Sequence, residues 1–190
     1  MAVVGLAGTG KSMGIRAIAR NLMNSEMFEF ICDKFTKPSD LLGSVSIPDM
    51  KAGVDRIRID GKMGTCHLSF LDEGFKLNGA TLNGLLGVLN DKRVWNGAGY
   101  TPSPLITCIV ASNEYPTSKE LGALWDRFPL RFHVQPLESD DNFRRLIFES
   151  QEVRSPVELA DIFAMQAQVK CCNFSDAAFD ILLELRAEIK

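Results

Sequence analysis

The sequence predicts an α/β protein: a parallel β-sheet sandwiched by helices, with a smaller all-helical region after it. Three observations predict this. Short apolar runs suited to buried parallel strands alternate with helical periodicity as far as Pro136. The first run, Ala2-Val3-Val4, leads into a glycine-rich loop and then a helical pattern. Two later runs end in polar residues, at Asp72-Glu73 and Ser112-Asn113, as strands do at the carboxyl edge where ligands bind. Beyond Pro136 strand patterning stops. The expected division is residues 1–136 as the α/β core and 137–190 as helices.

The loop reads Gly5-Leu6-Ala7-Gly8-Thr9-Gly10-Lys11-Ser12, which satisfies G-x-x-x-x-G-K-[ST], the phosphate-binding P-loop. Gly5, Gly8, Thr9 and Gly10 form the expected cradle, because glycine lets the backbone curl its N–H groups towards phosphate oxygens. The helix N-terminus adds its positive dipole end. Lys11 reaches the β- and γ-phosphates and the Ser12 hydroxyl binds Mg²⁺ in such loops. The glycine order G-x-x-G-x-G and the Lys-Ser pair exclude a dinucleotide fingerprint. The following helix, Met13–Met23, is expected to bury Ile15, Ile18, Ala19 and Leu22 on one face.

Phe28–Cys32 is a second strand. Pro38–Leu42 starts a short helix that stops at Gly43. In Arg56–Asp60, Ile57 and Ile59 alternate with Arg56, Arg58 and Asp60, which predicts one strand of a hairpin near 45–60. A solvated edge and a substrate-contacting insert both fit that pattern. Cys66–Leu71 is an apolar strand ending in Asp72 and Glu73. In a P-loop enzyme Asp72 holds Mg²⁺, and Glu73 polarises the attacking water as general base. His67 reads as a packed or surface side chain.

Ala80–Asn90 is an amphipathic helix with Leu82, Leu85, Leu86 and Leu89 as its stripe. Asn96-Gly97 between Val94-Trp95 and Tyr100 signals a hairpin turn. Leu105–Ala111 is a core strand, and Asn113 beyond its end is placed to share the γ-phosphate and water with Glu73. Thr117-Ser118-Lys119-Glu120 has the capping-box pattern and opens a helix towards Trp125. Asp126-Arg127-Phe128 and a last strand, Leu130–Val134, follow. Helices are then expected after Ser139-Asp140-Asp141 (with Phe143, Leu146 and Ile147 inward), after Ser155-Pro156, and after Ser175-Asp176 (with Phe179, Leu182, Leu183 and Leu185 apolar).

The bulk properties narrow the class. The chain has 190 residues and a net charge of -3, which removes any global electrostatic case for nucleic acid. No apolar run approaches transmembrane length, and the N-terminus lacks a basic signal-peptide region. The five cysteines are odd in number and lack zinc-ligand spacing. Cys66 and Cys108 read as buried small hydrophobes. Free thiols argue for a reducing, cytoplasmic setting.

The order P-loop, Leu71-Asp72-Glu73, Ser112-Asn113-Glu114, Asp126-Arg127-Phe128 resembles the AAA+ ATPases. The span from Gly5 to Val134 is similar to the MoxR group and, within it, to the RavA regulatory ATPases. Phe28-Glu29-Phe30, Phe70–Glu73 with Lys76, Leu82–Leu86 and Ala111–Glu114 carry that likeness. The resemblance implies ATP and Mg²⁺ as ligands, ATP hydrolysis, a five-stranded parallel sheet, a helical lid and a homo-hexameric ring. It makes the 45–60 hairpin the helix-2 insert, Asn113 the sensor-1 residue and Arg127 an arginine finger acting on the neighbouring subunit. Lys76 is also expected to face the neighbour. Members act as chaperone-like machines on protein substrates, often with von Willebrand A-domain partners. Set against the family, the chain reads as a fragment lacking the N-terminal adenine-contacting segment and the part of the lid that carries sensor 2. Two other functions stay open at this point: a helicase-like nucleic-acid motor and a truncated, non-hydrolysing nucleotide-binding module.

Overall fold

The computed structural model describes residues 1–142, 144, 156–172 and 175–188. They form two compact units, Met1–Pro156 and Val157–Lys190. The first is built on a five-stranded sheet of β1 (Ala2–Gly5), β2 (Met27–Ile31), β3 (Leu68–Asp72), β4 (Thr107–Ser112) and β5 (Arg131–Val134), in the order β5-β1-β4-β3-β2. Every pairing is parallel. The last strand of this sheet ends at Val134, but a two-residue strand, Val157–Glu158, lies beyond Pro136, where only helices were expected, and the first compact unit runs on to Pro156.

Alternation along the strands divides the core in two. Val3, Phe70, Ile109 and Ala111 pack with Ile15 of α1 (Lys11–Asn21). Ala2, Val4, Leu71, Cys108 and Val110 belong to the larger cluster with Leu82, Leu85, Val88, Leu124 and Phe128. Both faces of the sheet are thus covered, which is why its central strands read as continuous apolar runs. In α1 the buried face is narrower than expected. Ile15 is buried, but Ile18 is 54% exposed, because a helix lying on a flat sheet buries only the stripe directly over the strands.

The remaining elements of this unit are short. α2 (Pro38–Leu42) ends at Gly43, whose φ of 125° and close approach to the Arg58 carbonyl exclude a side chain. The predicted hairpin insert consists of two-residue strands, Ser44–Val45 against Ile57–Arg58, with α3 (Ile47–Lys51) between them. Ile57 and Ile59 are half-buried, and Arg56, Arg58 and Asp60 face solvent. α4 (Gly79–Asp91) is capped by the Asn78 side chain on the Thr81 N–H. In the second hairpin Arg93–Trp95 pairs with Tyr100–Pro102. Its loop is longer than the Asn-Gly signal implied, and the Asn96 side chain accepts from the Ala98 and Gly99 N–H groups. α5 (Lys119–Trp125) starts one residue later than the capping-box pattern predicted: Ser118, not Thr117, is the N-cap and accepts from the Leu121 N–H. The position whose side chain reaches an N3 donor decides the cap, and here that donor belongs to Leu121.

In the second unit, α6 (Leu159–Lys170) follows an extended Val157-Glu158, so the helix begins after the predicted Ser155-Pro156 start. Val157 is β-branched and at home in extended backbone. Ser175 caps α7 (Asp176–Glu188) on the Ala178 N–H, and Phe179 is exposed. Asp140–Asn142 are helical as expected. Phe143, Leu146, Ile147 and Ser155, with the side chains of Leu182, Leu183 and Leu185, lie outside the described residues. Among the described residues no helix is long and apolar enough to cross a membrane.

Candidate active site

Parallel pairing brings the ends of β1, β3 and β4 to one edge of the sheet. Asp72 is in register with Ala111 of β4, and Ser112 with Val4 of β1. The loop after β1, the acids after β3 and Asn113 after β4 are therefore neighbours, although they are far apart in the chain. Together they line a cavity of about 380 Å³ that includes Gly8, Thr9, Gly10, Lys11, Ser12, Asp72, Glu73 and Asn113.

The P-loop is held open by its glycines. Gly8 and Gly10 have φ of 78° and 80°, left-handed values that a side chain disfavours. The Thr9 hydroxyl donates to the Leu6 carbonyl at 2.9 Å and tightens the curl. Gly5 closes β1 against Val134, and a Cβ there would collide with the Val134 carbonyl. Lys11 folds back across the loop. Its Nζ donates to the carbonyls of Gly5 (2.7 Å) and Leu6 (2.8 Å) and to Asn113 Oδ1 (2.8 Å).

The Ser12 hydroxyl donates to Asp72 Oδ2 at 2.8 Å, and Asp72 Oδ1 accepts from the Glu73 N–H at 3.1 Å. Glu73 takes a left-handed backbone, φ 55° and ψ 32°, which turns its side chain into the cavity. Its Oε1 accepts from Asn113 Nδ2 at 2.5 Å. Its Oε2 lies 3.3 Å from Lys76 Nζ, yet it is buried with no hydrogen-bond partner. Asn113 thus bridges Lys11 and Glu73 through the two ends of one amide.

These residues fit a magnesium nucleotide. Ser12 and Asp72 present adjacent hard oxygen donors of the kind Mg²⁺ takes. The glycine loop and the start of α1 offer N–H groups to phosphate. Glu73, whose buried Oε2 accepts no hydrogen bond among the described residues, lines the same cavity. Cys32, which follows β2, donates its N–H to the Asp72 carbonyl at 2.7 Å. Burial, and then the charges of Cys108 and Asp72, push its thiol up to about 12, so it stays neutral beside the site.

Three cavity residues were not among those expected from the sequence: Ala7, Met13 and Arg16. Arg16 pairs with Glu29 of β2: its Nε donates to Oε1 at 3.0 Å and to Oε2 at 3.2 Å, and its Nη2 to Oε1 at 2.5 Å. Its position four residues after Ser12, on the same helix face, was the available signal. Arg127 lies elsewhere. It borders a separate pocket with Met1, Ile106 and Thr107, at the amino edge of the sheet. With about 3.3 Å per residue, a five-residue strand such as β3 sets the two edges ~16 Å apart. Arg127 is exposed and makes no side-chain hydrogen bond or ion pair among the described residues; Asp126 instead faces Arg131, at 3.9 Å.

The strand order, the glycine loop and the acids that close β3 define the AAA+ class of P-loop ATPases. Residues 1–167 match the MoxR domain of the MoxR–vWA–β-propeller ternary systems, and the chain belongs to that family. Two uncharacterized proteins of Methanocaldococcus jannaschii are similar. MJ0812 is 35% identical over 97% of this chain and 51% of its own length, and MJ0079 is 36% identical over 86% and 43%. A structural protein of Acidianus two-tailed virus, ORF618, is 26% identical over 82% of the chain and 26% of its own length. The chain therefore spans about half the length of the archaeal relatives, or less. A solved structure from Cytophaga hutchinsonii, provisionally described as an ATPase, superposes with a TM-score of 0.72 over 97% of this chain and 57% of its own, at 19% identity, and so bears on the fold alone.

Proposed function

We propose that the chain is the ATP-binding and ATP-hydrolysing core of a MoxR-type motor that remodels protein partners. One observation carries this reading: Lys11, Ser12, Asp72, Glu73 and Asn113 converge on one cavity, with Ser12 bonded to Asp72 and Glu73 bonded to Asn113. In this reading the P-loop and Lys11 bind the phosphates, and Ser12 and Asp72 hold Mg²⁺. Bound Mg²⁺ supplies positive charge to the phosphate oxygens. Glu73 accepts the proton of the attacking water, and Asn113 orients Glu73 and that water.

The family's description, in which the MoxR domain works with vWA and β-propeller proteins, supports a von Willebrand A-domain partner. The narrower placement near the RavA ATPases rests on the stretches quoted from the sequence. A homo-hexameric ring in the cytoplasm completes the proposal, with Arg127 acting on a neighbour's site; its distance from its own Lys11 and its lack of a side-chain partner among the described residues support that role. The test is phosphate release from Mg-ATP at high protein concentration, alongside calorimetric nucleotide binding. Turnover that rises more than linearly with protein concentration is expected. Tight binding with no phosphate release would leave a non-hydrolysing nucleotide-binding module instead.

A further inference from the structure

Among the described residues Arg127 has no side-chain partner, but the turn that presents it is held tightly. Leu124 and Phe128, on either side, are 0% and 2% exposed and anchor the backbone in the core. The side chain of Arg131 spans this turn. Its Nη2 donates to the Trp125 carbonyl at 3.1 Å and its Nε to the Phe128 carbonyl at 2.9 Å. Its guanidinium sits over the Trp125 ring, 4.5 Å from the centroid, and Nη2 lies 3.9 Å from Asp126. These contacts go to the residues flanking Arg127, and none goes to Arg127. A planar fork that stacks and donates twice is work a lysine does not do.

The same Trp125 ring meets two loops of the active site. Phe75 packs against it edge-on at 5.5 Å, and Tyr115 does so at 5.8 Å. Phe75 lies two residues after Glu73, and Tyr115 two residues after Asn113. Tyr115 is tied in turn to His133 of β5, with stacked rings and a 3.0 Å hydrogen bond. The loops carrying the base and its amide partner therefore rest on the residue that starts the Arg127 turn.

We propose that Arg131 and Trp125 are positioning residues that set Arg127 according to the nucleotide state of the subunit's own site. Phosphate binding takes Lys11 away from Asn113, the Asn113 and Glu73 loops adjust, Tyr115 and Phe75 carry the change to Trp125, and Arg131 transmits it to the turn as a rigid piece. This rests on the reading of Arg127 as acting on a neighbour.

Two measurements test it. In the Trp95→Phe chain, Trp125 is the single tryptophan. Adding Mg²⁺ with a non-hydrolysable ATP analogue is expected to shift its emission, with the same midpoint that calorimetry gives for binding. The shift should drop severalfold in Phe75→Leu, with affinity held within about twofold. An unchanged emission in a chain that binds the analogue overturns the proposal. In the turnover assay, Arg131→Met is expected to lower kcat about tenfold with KM within about twofold, and Arg131→Lys to stay well below wild type, because an ammonium cannot stack and donate twice. Wild-type turnover from Arg131→Lys overturns the positioning role. Wild-type turnover from Arg127→Ala removes the Arg127 reading, and the proposal with it. Wild-type turnover from Arg131→Met beside an inactive Arg127→Ala removes the proposal alone. The emission measurement leaves Arg131 intact, so it decides the matter even where an Arg131 variant fails to fold.

Discussion

Replacing Glu73 by Gln separates binding from chemistry with little else disturbed. The Gln side chain keeps an oxygen that can accept the Asn113 amide, now at 2.5 Å from Glu73 Oε1. What is lost in the ground state is the charge on that hydrogen bond and the contact with Lys76. The Lys76 side chain is 50% exposed, so solvent screening holds the ion pair to about 0–1 kcal/mol. A charge-assisted bond is roughly twice as strong as a neutral one, which adds about 1 kcal/mol. The backbone at φ 55° is as costly for Gln as for Glu, so that strain cancels. The net loss of stability is therefore about 1–2 kcal/mol, or a melting shift of roughly 2–8 °C in a chain this size. Turnover behaves differently. Removing a general base costs about 10²–10⁴ in rate, near 3–5 kcal/mol on the barrier. Phosphate release measured at saturating Mg-ATP should fall by that factor, while calorimetric affinity stays within about threefold. A Gln variant that hydrolyses like wild type, from a preparation whose wild type is active, refutes the assignment of Glu73 as base.

The other predictions follow from the same geometry. Lys11→Ala should weaken ATP binding by about 1.5–3 kcal/mol, the scale of a charge-assisted hydrogen bond; the gain is capped because Lys11 must first leave Gly5, Leu6 and Asn113, and equal affinity in a fluorescent-analogue titration would remove it from the site. Arg127→Ala should abolish turnover with ATP affinity nearly unchanged, and mixing it with Glu73→Gln protein should recover activity, since an intact Glu73 can then face an intact Arg127; verified mixed rings without recovery would return Arg127 to a surface role. Native protein at pH 8 should show Cys171 and Cys172 reacting readily with a thiol reagent and Cys32, Cys66 and Cys108 reacting only after unfolding, and fast labelling of all five would contradict the buried placement. Burial raises the thiols of Cys32 to about 12 and Cys108 to about 11, so the folded chain keeps protons that the unfolded chain releases. Stability should accordingly be full below about pH 8.5, the ordinary thiol value, and fall as pH rises towards 11; denaturant midpoints flat across that range would contradict it.

Much of the site was legible in the residues themselves because phosphate chemistry constrains local sequence. A loop that must curl its N–H groups inward needs glycine at Gly8 and Gly10, and a buried parallel strand that ends at a ligand edge reads as Leu68–Leu71 followed by Asp72 and Glu73. Those are short-range requirements, and one stretch of chain meets each of them. Strand periodicity was legible for the same reason, since burial on both faces leaves an apolar run wherever it occurs. Tertiary structure alone decided the rest. Strand order put Asn113 between Lys11 and Glu73, a contact across more than a hundred residues of chain for Lys11. It joined Ser12 to Asp72, brought Arg16 to the cavity wall, and left Ile18 of the same helix in solvent. It also placed Trp125 against Phe75 and Tyr115. Local preference sets which residues can cradle a phosphate or cap a helix. Which side chains then share a cavity depends on long-range pairing and packing, and no local pattern encodes that.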